Sequence, residues 1–496
     1  MSVLRYKFPL VLMMLVTGAP AIWAQDQPSE GQNQGNAPIP AYHSPLASAA
    51  NNGEDSVPVT SELTPDTRSL TGIQDLSLGA PKTSHTYWQP RADVFGSFYS
   101  NFLSPTTNTG WSAWTSLSGA VDLHRISGNS NLVLTYLGGA SLSSDGGTSN
   151  GIVQQLEVLD RFTFRRYSII VADQLAYLPE AAFGYSGLGS LISTTGGGNL
   201  GLQTGLSPNQ SILTSQGQRI SNAAFGEIDR YLTPRSSLTF VGSYGVLRFL
   251  DNGLLDSQEA IFQVGYNYQL TRNNSIAVSY GFDAFRYSDG VQSINNNSFE
   301  FHYARRVTGK LAFQIAGGPS VAFSNIAISG NTTPSGGTGG TGSVPTNATQ
   351  VFWVLDATAT YQLRRVALTA SYNHGVTGGS GVLAGAVTDN FTGSVSRQLT
   401  RNLNASFSGG YSRNTGVALP TSSTPVVTEA GQTYDYWFGS ANLGRSWGRS
   451  TTLNFGYSVQ YQTSNTAFCI TTPCSTSYVV NQISFGLGWR PGPKVF

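Results

Sequence analysis

Few side chains in this sequence have the type and spacing for covalent chemistry. The five histidines are His43, His85, His124, His302 and His374. His374 closes a β-type segment, Asp389 opens the next, and Ser371 lies just before His374. Acyl-transfer hydrolysis uses such a set: a hydroxyl nucleophile, an imidazole base and a carboxylate that orients the imidazole. The set is not distinctive here, because serines are abundant along the chain and a histidine at a strand rim is ordinarily solvated. No catalytic residue is expected, and a rim-sited hydrolase is the third-ranked reading. No metal-ligand spacing or phosphate-binding loop occurs, so no cofactor and no metal are expected. Glycine runs at 196–198 and 336–342 read as loop linkers. Cys469 and Cys474 are the only cysteines. In an exported chain, a local disulfide across a loop is the natural pairing for them.

Charged side chains inside β-type segments carry more information. They are Glu157, Asp160, Arg161, Asp173, Glu227, Asp229, Arg230, Asp283, Arg286, Glu300, His302, Arg306 and Asp356. On a lipid-facing wall, Arg or Lys at mid-depth costs about 2–4 kcal/mol. These groups are therefore expected to point into a lumen. Two readings stay open there. Mixed charges facing across a pore set a transverse field and tune ion selectivity, or paired charges brace the wall.

The elements that must position these groups follow from composition. Only 27 Lys+Arg and 26 Asp+Glu occur in 496 residues, 11% charged, against about 25% for soluble domains. The net charge of +1 carries no nucleic-acid signal. Hydrophobic content of 40%, without an apolar run of ~20 residues beyond the first 25, excludes a polytopic helical membrane protein. Arg5 and Lys7, the apolar stretch 8–16 and small residues up to Ala24 form a secretory signal peptide, 1–24. Residues 25–82 read as a flexible periplasmic tail, since 25–69 are rich in Pro, Gln, Asn, Ser and Gly.

From residue 83 to 496 the chain reads as short β segments with period-two alternation. Phe262, Val264, Tyr266, Tyr268 and Leu270 share one face against Gln263, Gly265, Asn267 and Gln269. Phe299, Phe301 and Tyr303 oppose Glu300 and His302 in the same way. Short connections (LTRNNS, RRVTGK, LTRN) alternate strictly with long ones. Counting between them gives about eighteen strands, with sixteen possible. An aromatic-x-Leu-basic-turn pattern recurs as YQLTRNN, YQLRR and RQLTRN, a repeated hairpin unit of one closed sheet. Aromatics at strand ends, such as Trp88, Trp111, Tyr231 and Tyr361, suit interfacial girdles.

With a signal peptide, an even strand number, short turns against long loops and a terminal Phe496, the chain resembles a bacterial outer-membrane β-barrel protein, porin-like in size. The resemblance is architectural and names no specific family. It implies an all-β, closed antiparallel transmembrane barrel with short periplasmic turns and long extracellular loops. It also implies a last strand whose aromatic end (Phe485, Trp489 or Phe496) is read by the barrel-assembly machinery. The expected partners are outer-membrane lipid, that machinery and small hydrophilic solutes, with no nucleic acid; the oligomeric state is not fixed. The expected function is passive, weakly selective diffusion of small hydrophilic solutes or ions. The alternative is a plugged structural or surface-interaction barrel. The longest link, 179–219, has no charge between Glu180 and Arg219; it is expected to fold into the lumen as a constriction or to form an external lid.

Overall fold

A computed structural model describes residues 86–495, apart from the links 101–110, 145–150, 179–218, 251–255, 288–291, 331–341, 379–382, 418–431 and 466–476 and the positions 272, 364 and 384. The signal peptide, the tail, link 179–218, Cys469, Cys474 and Phe496 lie outside the described residues.

The described residues form one antiparallel sheet. Its strands are β1 (Tyr87–Ser100), β2 (Trp111–Ser127), β3 (Ser130–Ser143), β4 (Gly151–Thr163), β5 (Tyr167–Leu178), β6 (Arg219–Thr233), β7 (Ser236–Phe249), β8 (Ser257–Thr271) and β9 (Asn274–Tyr287). They continue as β10 (Gln292–Arg306), β11 (Leu311–Gly330), β12 (Gly342–Gln362), β13 (Val366–Thr377), β14 (Ala386–Thr400), β15 (Leu403–Gly416), β16 (Thr433–Trp447), β17 (Thr451–Ser464) and β18 (Ser477–Trp489), followed by the two-residue β19 (Lys494–Val495). Each of the eighteen expected segments is a strand, and the sixteen-strand alternative falls away. Each of β1 to β18 pairs with its neighbours among these eighteen strands, and β19 pairs with β1 at Tyr87↔Val495 and Trp88↔Lys494. β1 also pairs with β18, from Ala92↔Trp489 to Tyr99↔Gln482, which closes the barrel. Closure leaves no edge, so the backbone N–H and C=O groups pair within the sheet.

Side chains follow the pleat. Phe262, Tyr266, Tyr268 and Leu270 on β8 are exposed, whereas Gln263 and Asn267 between them are buried. On β10, Phe299 and Phe301 are more than half exposed at 55% and 53%, whereas Glu300 and His302 are buried. Apolar side chains face outward and polar ones inward, the reverse of a soluble domain and the arrangement a lipid exterior requires.

Three strands run further than the sequence pattern suggests. β10 begins at Gln292, and β11 and β12 stay paired up to Gly330↔Gly342. Alternation marks a strand only where its two faces meet different media, and ladder pairing continues without it. At the opposite end, links are as short as Gly128-Asn129 between β2 and β3, where Gly128 takes φ +52°, the left-handed conformation such tight hairpins use.

Gly318 marks a close approach between β10 and β11. A Cβ there would run into the carbonyl oxygen of Phe299. Gly318→Ala is expected to destabilise the barrel by about 1–3 kcal/mol through overpacking. Gly393→Ala, where a Cβ meets nothing within 4 Å, is expected not to. The temperature at which each variant loses its heat-modifiable gel mobility checks both.

Candidate functional site: the inner wall

The inner face divides into two sectors. The first, on β1 to β10, holds most of the charges. Arg91 and Asp93, two apart on β1, point inward and are 3% and 4% exposed. Arg91 Nε lies 3.1 Å from Asp93 Oδ2, and Arg91 Nη1 lies 4.0 Å from Asp122 Oδ2 on β2. Arg490, just past β18, brings Nη2 to 4.0 Å from Asp122 Oδ2 and donates from Nε to Gln89 Oε1 at 2.8 Å. This cluster straddles the seam where the barrel closes. It was not foreseen from the sequence, although Gln89, Arg91 and Asp93 alternate with Trp88, Ala92 and Val94, which is the signal that finds it.

Glu157 and Arg161 share the inner face of β4, opposite Thr135 and Asn131 on β3. On β6, Glu227 and Asp229 alternate inward with the buried Phe225. Asp229 accepts hydrogen bonds from Ser168 Oγ at 3.3 Å and from Thr239 Oγ1. On β9 and β10, Asp283, Glu300, His302 and Arg306 all lie on the inner face. Asn296 Nδ2 donates to Asp283 Oδ2 at 3.2 Å, and Ser298 Oγ donates to Glu300 Oε1 at 3.0 Å. Glu259, unforeseen, occupies the inner face of β8. His302 Nε2 sits 2.7 Å from Ser279 Oγ and 3.8 Å from Glu300 Oε2. Both neighbours share one ring nitrogen. A hydrolytic relay needs the carboxylate on the other nitrogen, so this trio is not one.

Asp160, Asp173, Arg230 and Arg286 lie on the outer face instead of in the lumen; Asp160 pairs with exposed Val171 and accepts from Ser130 Oγ at 2.9 Å. Asp173 shares its face with exposed Val171 and Leu175 and accepts from Asn222 Nδ2 at 3.0 Å. Arg286 Nη1 donates to Phe285 O at 2.8 Å and Ile294 O at 3.3 Å, and Nη2 donates to Asn295 Oδ1 at 2.7 Å, tying β9 to β10 at the long-link end. The cause is parity. Asp229 and Arg230 are adjacent, and Asp283 and Arg286 are three apart, so neither pair can share a face.

The rim set also separates. His374 Nδ1 lies 2.7 Å from Asp389 Oδ1, and the His374 ring stacks on Trp353 at 3.8 Å and 9°. Tyr372 Oη donates to Asp389 Oδ1 at 2.7 Å. All four belong to the outer face. Ser371 faces inward and bonds Thr392 Oγ1 at 2.5 Å, so no hydroxyl nucleophile meets His374 there.

The second sector, on β13 to β17, is uncharged. Thr369, Ser371, Asn373, Thr392, Ser394, Ser396, Asn404, Ser406, Ser408, Ser440, Asn442 and Asn454 face inward. All retain solvent access, unlike Arg91, Asp93, Asp229, Glu300 and His302 across the barrel. Their hydroxyls pair across strands, as in Ser408 Oγ with Ser440 Oγ at 2.6 Å. Asp356 on β12 borders this sector and accepts a hydrogen bond from Asn373 Nδ2. Toward the long-link end a buried apolar cluster forms. Buried Phe285, Tyr287, Ile294, Ala322 and Val417 cluster with Phe352. Gly378, just past β13, reaches this cluster across β10, β11 and β12, where Tyr287 Oη donates to Gly378 O at 3.1 Å, and Gly385, just before β14, lies against Ile294. Described residues hold no group of three or more His, Cys, Asp or Glu placed to bind a metal ion.

No family model and no curated protein matches this chain. Solved outer-membrane channel structures do resemble it. OpdQ of Pseudomonas aeruginosa aligns over 82% of this chain and 98% of its own, with 9% identity and a TM-score of 0.38. OccK2 (OpdF) of the same species, solved in complex with glucuronate, aligns over 82% and 98%, with 10% identity and a TM-score of 0.41. A BenF-like porin of Pseudomonas fluorescens Pf-5 aligns over 82% and 99%, with 10% identity and a TM-score of 0.39. The eighteen-strand closure itself rests on the register of this chain.

The seam cluster carries a testable consequence. Removing Arg91 leaves Asp93 and Asp122 buried together. Arg91→Ala is expected to cost about 3–5 kcal/mol, as for other broken buried ion pairs. The double variant Arg91→Met, Asp93→Asn is expected to regain most of that. Urea unfolding in detergent, followed by tryptophan fluorescence, checks the difference.

Proposed function

We propose that this chain is an outer-membrane channel for passive, weakly selective diffusion of small hydrophilic solutes. The observation that carries the reading is the asymmetry of the wall. Its outer face is aliphatic and aromatic, and its inner face on β13 to β17 is polar and accessible. A barrel of this strand number is wide enough to enclose water. The signal segment 1–24 supports export, and the outward Phe485 and Trp489 on β18 suit recognition by the barrel-assembly machinery. Weak ion selectivity follows from where the charges sit. Arg91, Asp93, Asp229 and Glu300 are buried and bonded to neighbours in the wall, which favours bracing for them, and the inward charges that keep solvent access, among them Glu157, Arg161, Glu227 and Arg306, are of both signs. Catalysis is not favoured, because the inward Ser371 and the outward His374 are on opposite faces of β13.

The test is conductance of the purified, refolded protein in planar bilayers. Discrete ohmic steps are expected, with a K⁺/Cl⁻ permeability ratio within about threefold of one. A folded, heat-modifiable protein that gives neither conductance nor liposome swelling would instead be a structural or surface-interaction barrel.

A further inference from the structure

The two ends of the barrel differ in charge, although the net charge of +1 conceals it. The eight short links between strands are 128–129, 164–166, 234–235, 272–273, 307–310, 363–365, 401–402 and 448–450. Two Lys or Arg occur in each of 164–166 and 363–365, one in each of five others, and none in 128–129; no Asp or Glu occurs in any. The links at the opposite end reverse this. They hold Asp145, Glu180, Asp251, Asp256, Asp289 and Glu429 and no Lys or Arg. At the short-link rim Arg165, Arg166, Arg235, Lys310, Arg365 and Arg401 are exposed. The ion pairs among the described residues lie elsewhere, at Arg91, Arg413, Arg490, His302 and His374. Like charges gathered on one rim repel, so the ring calls for an anion from outside the chain.

What stands beside these cations points to the kind of anion. Outward Tyr167, Leu232, Leu270, Leu363, Leu399 and Trp447 are 37% to 65% exposed, and each lies within three positions of a link cation. On the outside of a barrel such side chains are covered only where lipid reaches them. The cations therefore stand just past the edge of the hydrocarbon, at the depth of the headgroups, and their aliphatic stems can lie along the apolar ring. Lys310 is the one lysine in these links, and the other cations are arginines. A guanidinium fork matches two phosphate oxygens at once, which an ammonium does not. A zwitterionic headgroup brings its own cation beside the phosphate; an anionic one leaves the phosphate to the protein. A soluble polyanion would meet the charges and leave the apolar ring bare.

We propose that the short-link rim is a docking surface for anionic glycerophospholipid, whose headgroup phosphate the link arginines bind in the leaflet at that end. The opposite rim, whose links carry carboxylates alone, does not share the preference. The barrel has to lie in a membrane for this, but its lumen need not conduct.

The refolded full chain is inserted into dioleoylphosphatidylcholine vesicles that carry a trace of spin-labelled phosphatidylglycerol or spin-labelled phosphatidylcholine. The immobilised fraction of each spectrum gives the relative association of the two lipids with the barrel surface. At low salt phosphatidylglycerol is expected to be favoured at least about twofold, and in about 1 M NaCl the preference is expected to fall toward parity. The triple variant Arg165→Gln, Arg235→Gln, Arg401→Gln is expected to lose most of the preference. Arg413→Gln, outward on the long-link side, is expected to keep it. Heat-modifiable mobility confirms that each variant is folded, and Arg365→Gln replaces any one of the three that prevents folding. Equal association of the two lipids, a preference untouched in the folded triple variant, or one lost equally in Arg413→Gln overturns the proposal. So does capture of the folded protein by poly-L-glutamate without a lipid preference, which would make the rim a site for soluble polyanions. Conductance is measured separately, so a silent barrel that still prefers phosphatidylglycerol overturns only the channel reading.

Discussion

One constraint governs this molecule: a backbone crossing lipid must satisfy all its hydrogen bonds within the protein. For strands, the solution is a sheet that returns to its own beginning. The eight-residue register between Ala92–Tyr99 and the segment from Trp489 to Gln482 is where this chain meets the requirement. The inward salt-bridged group of Arg91, Asp93, Asp122 and Arg490 lies at that same seam. So does the outward fit of the Phe485 ring against Gly96, where a Cβ would stand 2.7 Å from the ring. Polar bonds on one face and a ring on a bare glycine on the other hold the first and last strands together.

Closure then fixes the use of every side chain, because the pleat admits two faces and the two media differ. Outside, aromatics stand both near strand ends, as Trp111 and Tyr361 do, and mid-strand, as Phe262 and Phe299 do, and polar groups are admitted in company. Asp389 is held by His374 and Tyr372, and Tyr411 Oη donates to Asp435 at 2.5 Å. Inside, much of the charge is bonded locally, and the broadest accessible polar surface is the one that carries none. The low charge content of the sequence thus has a place: most inward charges are committed to neighbours in the wall.

This logic also explains what the sequence discloses. The strands were legible because lipid on one side and polar surroundings on the other stamp period two onto residues such as Phe299-Glu300-Phe301-His302. The upper parts of β11 and β12 were not, since alternation has no physical cause beyond the lipid. The facing of Asp160, Asp173, Arg230 and Arg286 was open to correction by counting parity along each strand, because a charge assigned by location alone ignores the pleat. Arg91 and Asp93 went unseen although their alternation with Ala92 and Val94 was there to be read. The buried apolar cluster around Phe285 and Ile294 had no local signature. Tyr287 and Gly378 are 91 positions apart, and the glycines and small apolar residues of that link read as any other loop.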